Sequence, residues 1–239
     1  MAGAPSVAFV KQYQDTISIL AQQSDSRLRS CVMVDTNWTG EEKYYEQYNQ
    51  DSMIEILSRY QDTPVQLPDH KRRRVTPRYF VSNTLEDPVD ALQMLIDPKS
   101  TYMQAKAAAA ARQVDSIIAV ALGATAYTGK TGGDSTTLAS WESGVHVIAT
   151  GSAGMTKAKC ILAKKLLDLD EVDANDRFMA YTAAQLSDLL SITEVASSDY
   201  NSVKALVQGE IDTWLGFKWI HTEQLVKSST TRYCYAFQK

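Results

Sequence analysis

Hydrophobic positions change their spacing several times along the chain, and each change marks a predicted element. Phe9, Val10, Tyr13, Ile17 and Leu20 fall near one helical face, which predicts a short amphipathic arm over residues 7–20. Residues 24–30 are polar and read as a connection. From Cys31 to Phe80 the helical period is lost: β-branched and aromatic residues dominate, broken by Pro64, Pro68 and Pro77. This stretch predicts extended chain folded into a long hairpin, with residues 53–60 as a loosely alternating strand. It is too polar to hold a core of its own, so its aromatics (Trp38, Tyr44, Tyr45, Tyr48) need another surface, in the same chain or in a neighbour.

Helical spacing then returns. Asp87-Pro88 and Asp97-Pro98 each set a capping acceptor before a proline at the first helical position. Asp97, preceding a proline, also ends the first of these helices. The second is predicted to run over residues 98–122 and to stop at Gly123. At 1.5 Å per residue that is a rod of roughly 37 Å. Its alanine-rich middle, residues 107–111, favours helix and close packing.

Residues 124–144 are rich in Gly, Thr and Ser and predict a loop, followed by a strand over 145–149. A helix over 156–169 sets Ala158, Ile161, Leu162, Leu166 and Leu169 against Lys157, Lys159, Lys164 and Lys165. Residues 177–181 read as a short strand. Thr182 and Gln185 have capping-box spacing ahead of Leu186, Leu189 and Leu190. Asp199 starts a short helix through Val207, closed by Gly209, and strands over 216–221 and 232–237 finish the chain. The order is mixed α+β, not a regular βαβ alternation.

Composition narrows the class. With 239 residues, 44% hydrophobic and 22% charged, the chain is long enough to bury a real core, as one large domain or two small ones. A formal net charge of −4 argues against a dedicated nucleic-acid binder and leaves room for weak contact with nucleic acid. Cys31, Cys160 and Cys234 are odd in number and far apart, so neither a disulfide framework nor a CxxC metal site is implied. A reducing compartment fits. Residues 1–10 lack the pattern of a signal peptide. The longest apolar stretch, residues 116–126, is too short and too alanine-rich to span a bilayer, so cytosolic synthesis without a membrane partner is expected.

Four sets of residues invite a chemical reading. Residues 124–131 end in Gly129-Lys130-Thr131 and fit a phosphate-binding loop only if Ala124 replaces the first glycine. That chemistry needs a strand before the loop and a helix after it; here a helix precedes, so a surface loop is favoured over a nucleotide-binding enzyme. Asp168, Asp170, Glu171, Asp173 and Asp176 fail the calcium-loop pattern, since Val172 stands where a ligand is needed and Asp173 where the turn glycine is needed. His70, His146 and His221 have no zinc spacing, Cys160 reads as a packed thiol, and Ser152 lies outside a GxSxG elbow. The dense positive patch of residues 70–74 favours contact with acidic protein neighbours over nucleic acid, given the acidic chain. No set of acid, base and nucleophile emerges, so no enzyme activity, cofactor or metal is expected.

The order of features resembles the major capsid protein family of tailed bacteriophages. Asp62-Thr63-Pro64 followed by His70, Lys71, Arg72 and Arg73 is similar to the family's E-loop return. Residues 102–133, with the alanine run before Arg112, Gln113, Val114 and Asp115, resemble its spine helix and following glycine loop. Residues 176–179, 185–190 and 199–201 resemble its A-domain, and Gly209-Glu210-Ile211 with Leu215-Gly216-Phe217 its strand back toward the P-domain. The likeness covers residues 35–239, although family members usually continue past the point matching Lys239.

It implies an N-terminal arm (1–34), an E-loop hairpin (35–82), a P-domain with spine helix (83–145), an A-domain (146–216) and return strands (217–239). It further implies self-assembly into hexamers and pentamers of an icosahedral head around double-stranded DNA. The virion would form in the host bacterial cytoplasm, with scaffold, portal and decoration proteins as possible partners. With Met1 as the start, no fused scaffolding segment is expected. Phe9, Tyr13, Trp38, Tyr44, Tyr45, Arg72, Arg73 and Arg74 are the expected intersubunit contacts. The alternatives are an encapsulin-like nanocompartment shell and the nucleotide-binding enzyme.

Overall fold

The computed structural model describes residues 22–48, 53–59, 62, 63, 65, 67, 70–83, 99–138, 146–191, 213–229 and 231–239. The predicted helices at 7–20 and 199–207 and the capped helix starts at Asp87 and Asp97 lie outside them. Two compact units divide the chain: Met1–Ser26 with Phe80–Gln113, and Arg27–Tyr79 with Val114–Lys239. Helix α1, Lys99–Gly123, contributes residues to both. Within the first unit, the Arg112 guanidinium donates to Gln22 Oε1 at 2.8 Å and to the Gln23 carbonyl at 3.2 Å.

The second unit contains two four-stranded sheets. In the first, β1 (Lys43–Tyr48), β2 (His70–Val75), β3 (Ala126–Thr128) and β4 (Asp134–Thr136) pair antiparallel in chain order. The predicted hairpin is therefore present, with Glu46 opposite Arg72 and Tyr44 opposite Arg74. Residues 53–59 form no strand, because nothing in the described chain pairs with them. The expected loop after α1 is instead partly a hairpin: β3 adds to β2 through Arg73–Thr128 and Arg74–Tyr127 and then pairs with β4.

The second sheet has the order β10–β5–β7–β6, from β5 (Arg177–Tyr181), β6 (Thr213–Trp214), β7 (Phe217–His221) and β10 (Tyr235–Gln238). β5 runs parallel to β7 and antiparallel to β10, and all five of its residues are buried. A strand covered on both faces has no need of polar alternation. Met179 and Tyr181 face one core, with Cys160, Leu189, Phe217 and Trp219. Ala180 faces the other, with Leu28, Ala119 and Leu225, and Phe178 stacks on Phe237 beside it. Helices α2 (Lys157–Leu169) and α3 (Ala183–Leu190) cover the first face, and the C-terminal part of α1 the second. A two-stranded ribbon, β8 (Lys227–Ser228) with β9 (Thr231–Arg232), precedes β10.

Local signals account for the helices. Thr156 caps α2, accepting from the Lys159 amide, and Thr182 with Gln185 forms the predicted capping box of α3. The packed stripe of α2 is rotated from the expected one: Cys160, Ala163 and Leu167 meet the core, while Ile161, Leu162 and Leu169 are exposed. Three carbonyls, of Thr150, Ala153 and Gly154, accept from Lys159 Nζ, so the chain before α2 is irregular where a strand was expected at 145–149. Gly123 ends α1 as predicted, but not by a left-handed turn. A side chain there would put its Cβ 2.4 Å from the Tyr235 hydroxyl, so the glycine makes room for that ring.

The segment at residues 27–31 is tied down by an acceptor inside α1. Asp115 is fully buried and its carboxylate accepts from the backbone N–H of Arg27 and of Leu28, each at 3.0 Å. Leu28, also fully buried, plugs the second core. Replacing Asp115 with Ala strands both donors, and urea unfolding is expected to show a loss of about 2–4 kcal/mol. Asp115→Asn, which keeps one acceptor, is expected to lose less.

Candidate functional site

The first sheet carries the residues singled out for intersubunit contact. On one face Tyr48 meets His70 edge-on at 4.6 Å, Arg72 pairs with Glu46, and Arg74 pairs with Glu42 at 3.1 Å. Arg72 lies 5.8 Å from the Tyr44 ring centre and Arg74 5.1 Å from that of Tyr127, distances at which a guanidinium is attracted to an aromatic face. On the other face Lys43 and the Tyr45 hydroxyl both donate to Asp35, the latter at 2.7 Å. The Lys43 and Tyr45 hydrogen bonds hold the Asp35 carboxyl down at about 2; the same carboxylate pushes the Lys43 and Tyr45 values up. Glu42 likewise raises Tyr44. The positive patch is thus met by carboxylates of its own chain at Arg72 and Arg74.

The expected contact residues Tyr44, Tyr45, Arg72, Arg73 and Arg74 come together on this sheet. Trp38 lies on the approach to β1, half-buried, and donates to the Gly40 carbonyl at 2.9 Å. Phe9 and Tyr13 are outside the described residues. Sequence reading passed over the apolar side chains between the two hairpin strands. Met53, Ile54, Ile56, Leu57, Val65 and Leu67 are all exposed, Leu57 at 83% and Leu67 at 89%. Among the described residues they belong to neither core cluster, and an exposed apolar group of this kind is a candidate contact surface. The signal was available: an apolar run in a stretch with no helix or strand partner to cover it.

The remaining lures have structural explanations. Gly129 and Gly132, both at positive φ, turn the β3–β4 hairpin. The Thr131 carbonyl accepts from the Tyr44 hydroxyl at 3.3 Å, and a Cβ at Gly132 would lie 2.6 Å from Arg74 Cδ. A strand, β4, follows this loop where a phosphate site needs a helix, so its N–H groups do not converge as that chemistry requires. In the acidic run, Asp168 accepts from the buried Arg177 at 2.5 Å and Asp176 from Lys218 at 2.8 Å. Arg177 also caps the carbonyls of Val172 and Asp173, fixing the exit of α2 onto β5. Among the described residues, no group of His, Cys, Asp and Glu is placed to hold a metal ion, and no helix is long and apolar enough to cross a membrane. Burial pushes the thiols of Cys160 and Cys234 up to about 11 and about 12, far from a reactive thiolate.

The fold is similar to those of solved phage shells. The capsid of the cyanophage P-SCSP1u matches with a TM-score of 0.72 and 18% identity, over 97% of this chain and 78% of that one. A structure from Mycobacterium phage Che8 matches at 0.65 and 14% identity, over 95% and 79%. The mature capsid of bacteriophage PhiM1 matches at 0.63 and 12% identity, over 94% and 70%. No curated protein sequence matches. The phage capsid protein family matches residues 6–239, nearly the whole chain, and the protein belongs to that family. Membership implies a structural, non-enzymatic role and a place in the virion.

Two measurements check the site. A carboxyl NMR titration of Asp35 is expected to show a midpoint near 2, moving up toward the usual carboxylate range in Lys43→Met. The folded protein at pH 8 is expected to leave Cys160 and Cys234 unlabelled by a thiol reagent until denaturant is added.

Proposed function

We propose that this protein is the major subunit of an icosahedral phage head, assembling as hexamers and pentamers around double-stranded DNA. The hairpin of residues 35–82 acts as the E-loop and lies on an adjacent subunit. An N-terminal arm (1–34) reaches a neighbour. A P-domain (83–145) has α1 as its spine, residues 146–216 form the A-domain, and residues 217–239 are return strands of the P-domain. The observation that carries the reading is the exposure of Met53, Ile54, Ile56, Leu57, Val65 and Leu67, which belong to neither core cluster among the described residues.

The mechanism is physical. Each hairpin buries a modest apolar area on its neighbour, and repetition around a closed ring multiplies weak contacts into a stable shell. Trp38, Tyr44, Tyr45, Arg72, Arg73 and Arg74 hold the base of the hairpin in register and present its edge to the neighbour, with Phe9 and Tyr13 contributing from the arm. The acidic chain and the carboxylates beside Arg72 and Arg74 keep contact with the packaged DNA weak and non-specific. Scaffold, portal and decoration proteins would join a shell formed in the host cytoplasm.

Light scattering with negative-stain microscopy tests this directly. The purified chain, alone or with a scaffold, is expected to give rings or closed shells of uniform diameter. Leu57→Asp with Leu67→Asp is expected to abolish them while leaving the thermal midpoint of the subunit nearly unchanged, since both side chains are already in water. Unchanged shells from that variant would remove the hairpin from the interface. A persistent monomer from the parent chain with a scaffold present would count against the whole reading. Protein cargo in place of DNA inside recovered particles would favour the nanocompartment alternative.

A further inference from the structure

His221 ends β7, and its imidazole lies between charges of opposite sign. On one side Arg27 Nη1 sits 3.0 Å from Nδ1 and also donates to the His221 carbonyl at 2.9 Å. A guanidinium has donors only, so this contact requires Nδ1 to be an unprotonated acceptor, which puts the ring hydrogen on Nε2. On the other side Nε2 is out of solvent, has no hydrogen-bond partner, and lies 3.5 Å from Glu223 Oε1. Other groups complete the surroundings. Glu223 accepts from the Ala183 N–H at 2.6 Å and is 4.0 Å from Lys227, with the Arg232 charge acting on it as well. The Tyr181 ring lies 5.5 Å from the imidazole.

We infer that His221 is a proton-operated latch on the segment at residues 27–31. The neutral ring accepts from Arg27 and ties that segment to the end of β7. When the ring takes up a proton, Nδ1 becomes a donor facing a donor, with two cations at 3.0 Å. The same proton gives Nε2–H a full ionic attraction to Glu223. Glu223 is ready for it, because the Ala183 amide and the nearby cations hold its carboxyl below the usual range and favour its charged form. Acid therefore exchanges the partner of His221, from Arg27 to Glu223. The Arg27 contact is present while the ring is neutral and is lost when the ring is protonated. Leu28 and the Asp115 carboxylate are untouched by that step, so the latch loosens the segment and does not eject it.

Amide hydrogen exchange on the full chain at pH 7.5 and pH 5.5, corrected for the intrinsic rate, tests the latch. Protection over residues 27–31 is expected to fall about tenfold at the lower pH, the scale of one hydrogen bond to a charged group. Protection of β5 is expected to stay constant. His221→Gln, whose amide oxygen accepts from Arg27 but does not titrate, is expected to hold its protection at both pH values. Equal protection in the parent protein at the two pH values, or the same acid-induced loss in His221→Gln, overturns the inference. If that variant does not fold, Arg27→Gln decides by NMR titration of His221: the midpoint must rise when the guanidinium is removed, and an unchanged midpoint overturns it.

Discussion

Burial of β5 on both faces is the constraint from which the second unit is built. A strand with no wet side needs apolar cover above and below, and the cover is drawn from distant parts of the chain. Helices α2 and α3 bring Cys160 and Leu189 to Met179 and Tyr181. Helix α1 and the segment at residues 27–31 bring Ala119 and Leu28 to Ala180. The second arrangement forces backbone N–H groups into a place without water, and a buried amide without an acceptor costs a large part of a domain's net stability. Asp115 removes that cost at Arg27 and Leu28. The buried carboxylate is thus a consequence of asking an irregular segment to cover a sheet.

The first sheet follows opposite rules. Its strands meet through ion pairs and aromatic–cation contacts, and its tyrosine hydroxyls bond to carboxylates of the same chain. Such contacts are individually weak near solvent, but they are directional and fix which residue faces which. The result is a hairpin with defined register and little core. The apolar side chains farther along it stay exposed beyond that polar base.

Much of this was legible from the residues. Arg177 to Tyr181, the Thr182–Gln185 box, the long alanine-rich helix and the strand ending at His221 carry their own local signals, and the structure places them within a residue; the last strand starts at Tyr235, three residues later than expected, because Thr231 and Arg232 pair with β8 instead. What escaped depended on partners far away in sequence. The short strands β3 and β4 exist because β2 offers an edge, which no turn composition reveals. The α2 stripe was misjudged because Leu and Ile count as buried in any periodicity argument, yet Cys160 and Ala163 fit closer to the sheet. Asp115 read as one more polar residue of a helix, and Gly123 as a stop. Their roles come from Leu28 and Tyr235, residues no window around them contains. At the candidate site the cations and aromatics were legible, whereas residues 53–60 were expected to form a strand, and the exposed Val65 and Leu67 drew no reading.

That open apolar segment also has a meaning before any shell exists. A newly made subunit carrying Met53, Ile54, Ile56 and Leu57 in water is a ready partner for misassociation, at a rate that rises with its concentration. The sequence carries counterweights: Glu55 splits the run, Arg59 and Asp62 follow it, and Pro64 precedes Val65. Charges and prolines at such positions act as gatekeepers, because they oppose the flat, continuous strand pairing on which aggregates grow. The segment remains sticky toward a shaped surface but ill-suited to stacking on copies of itself. Correct assembly is thereby protected as a race, in which the wrong product is slowed rather than the right one hurried.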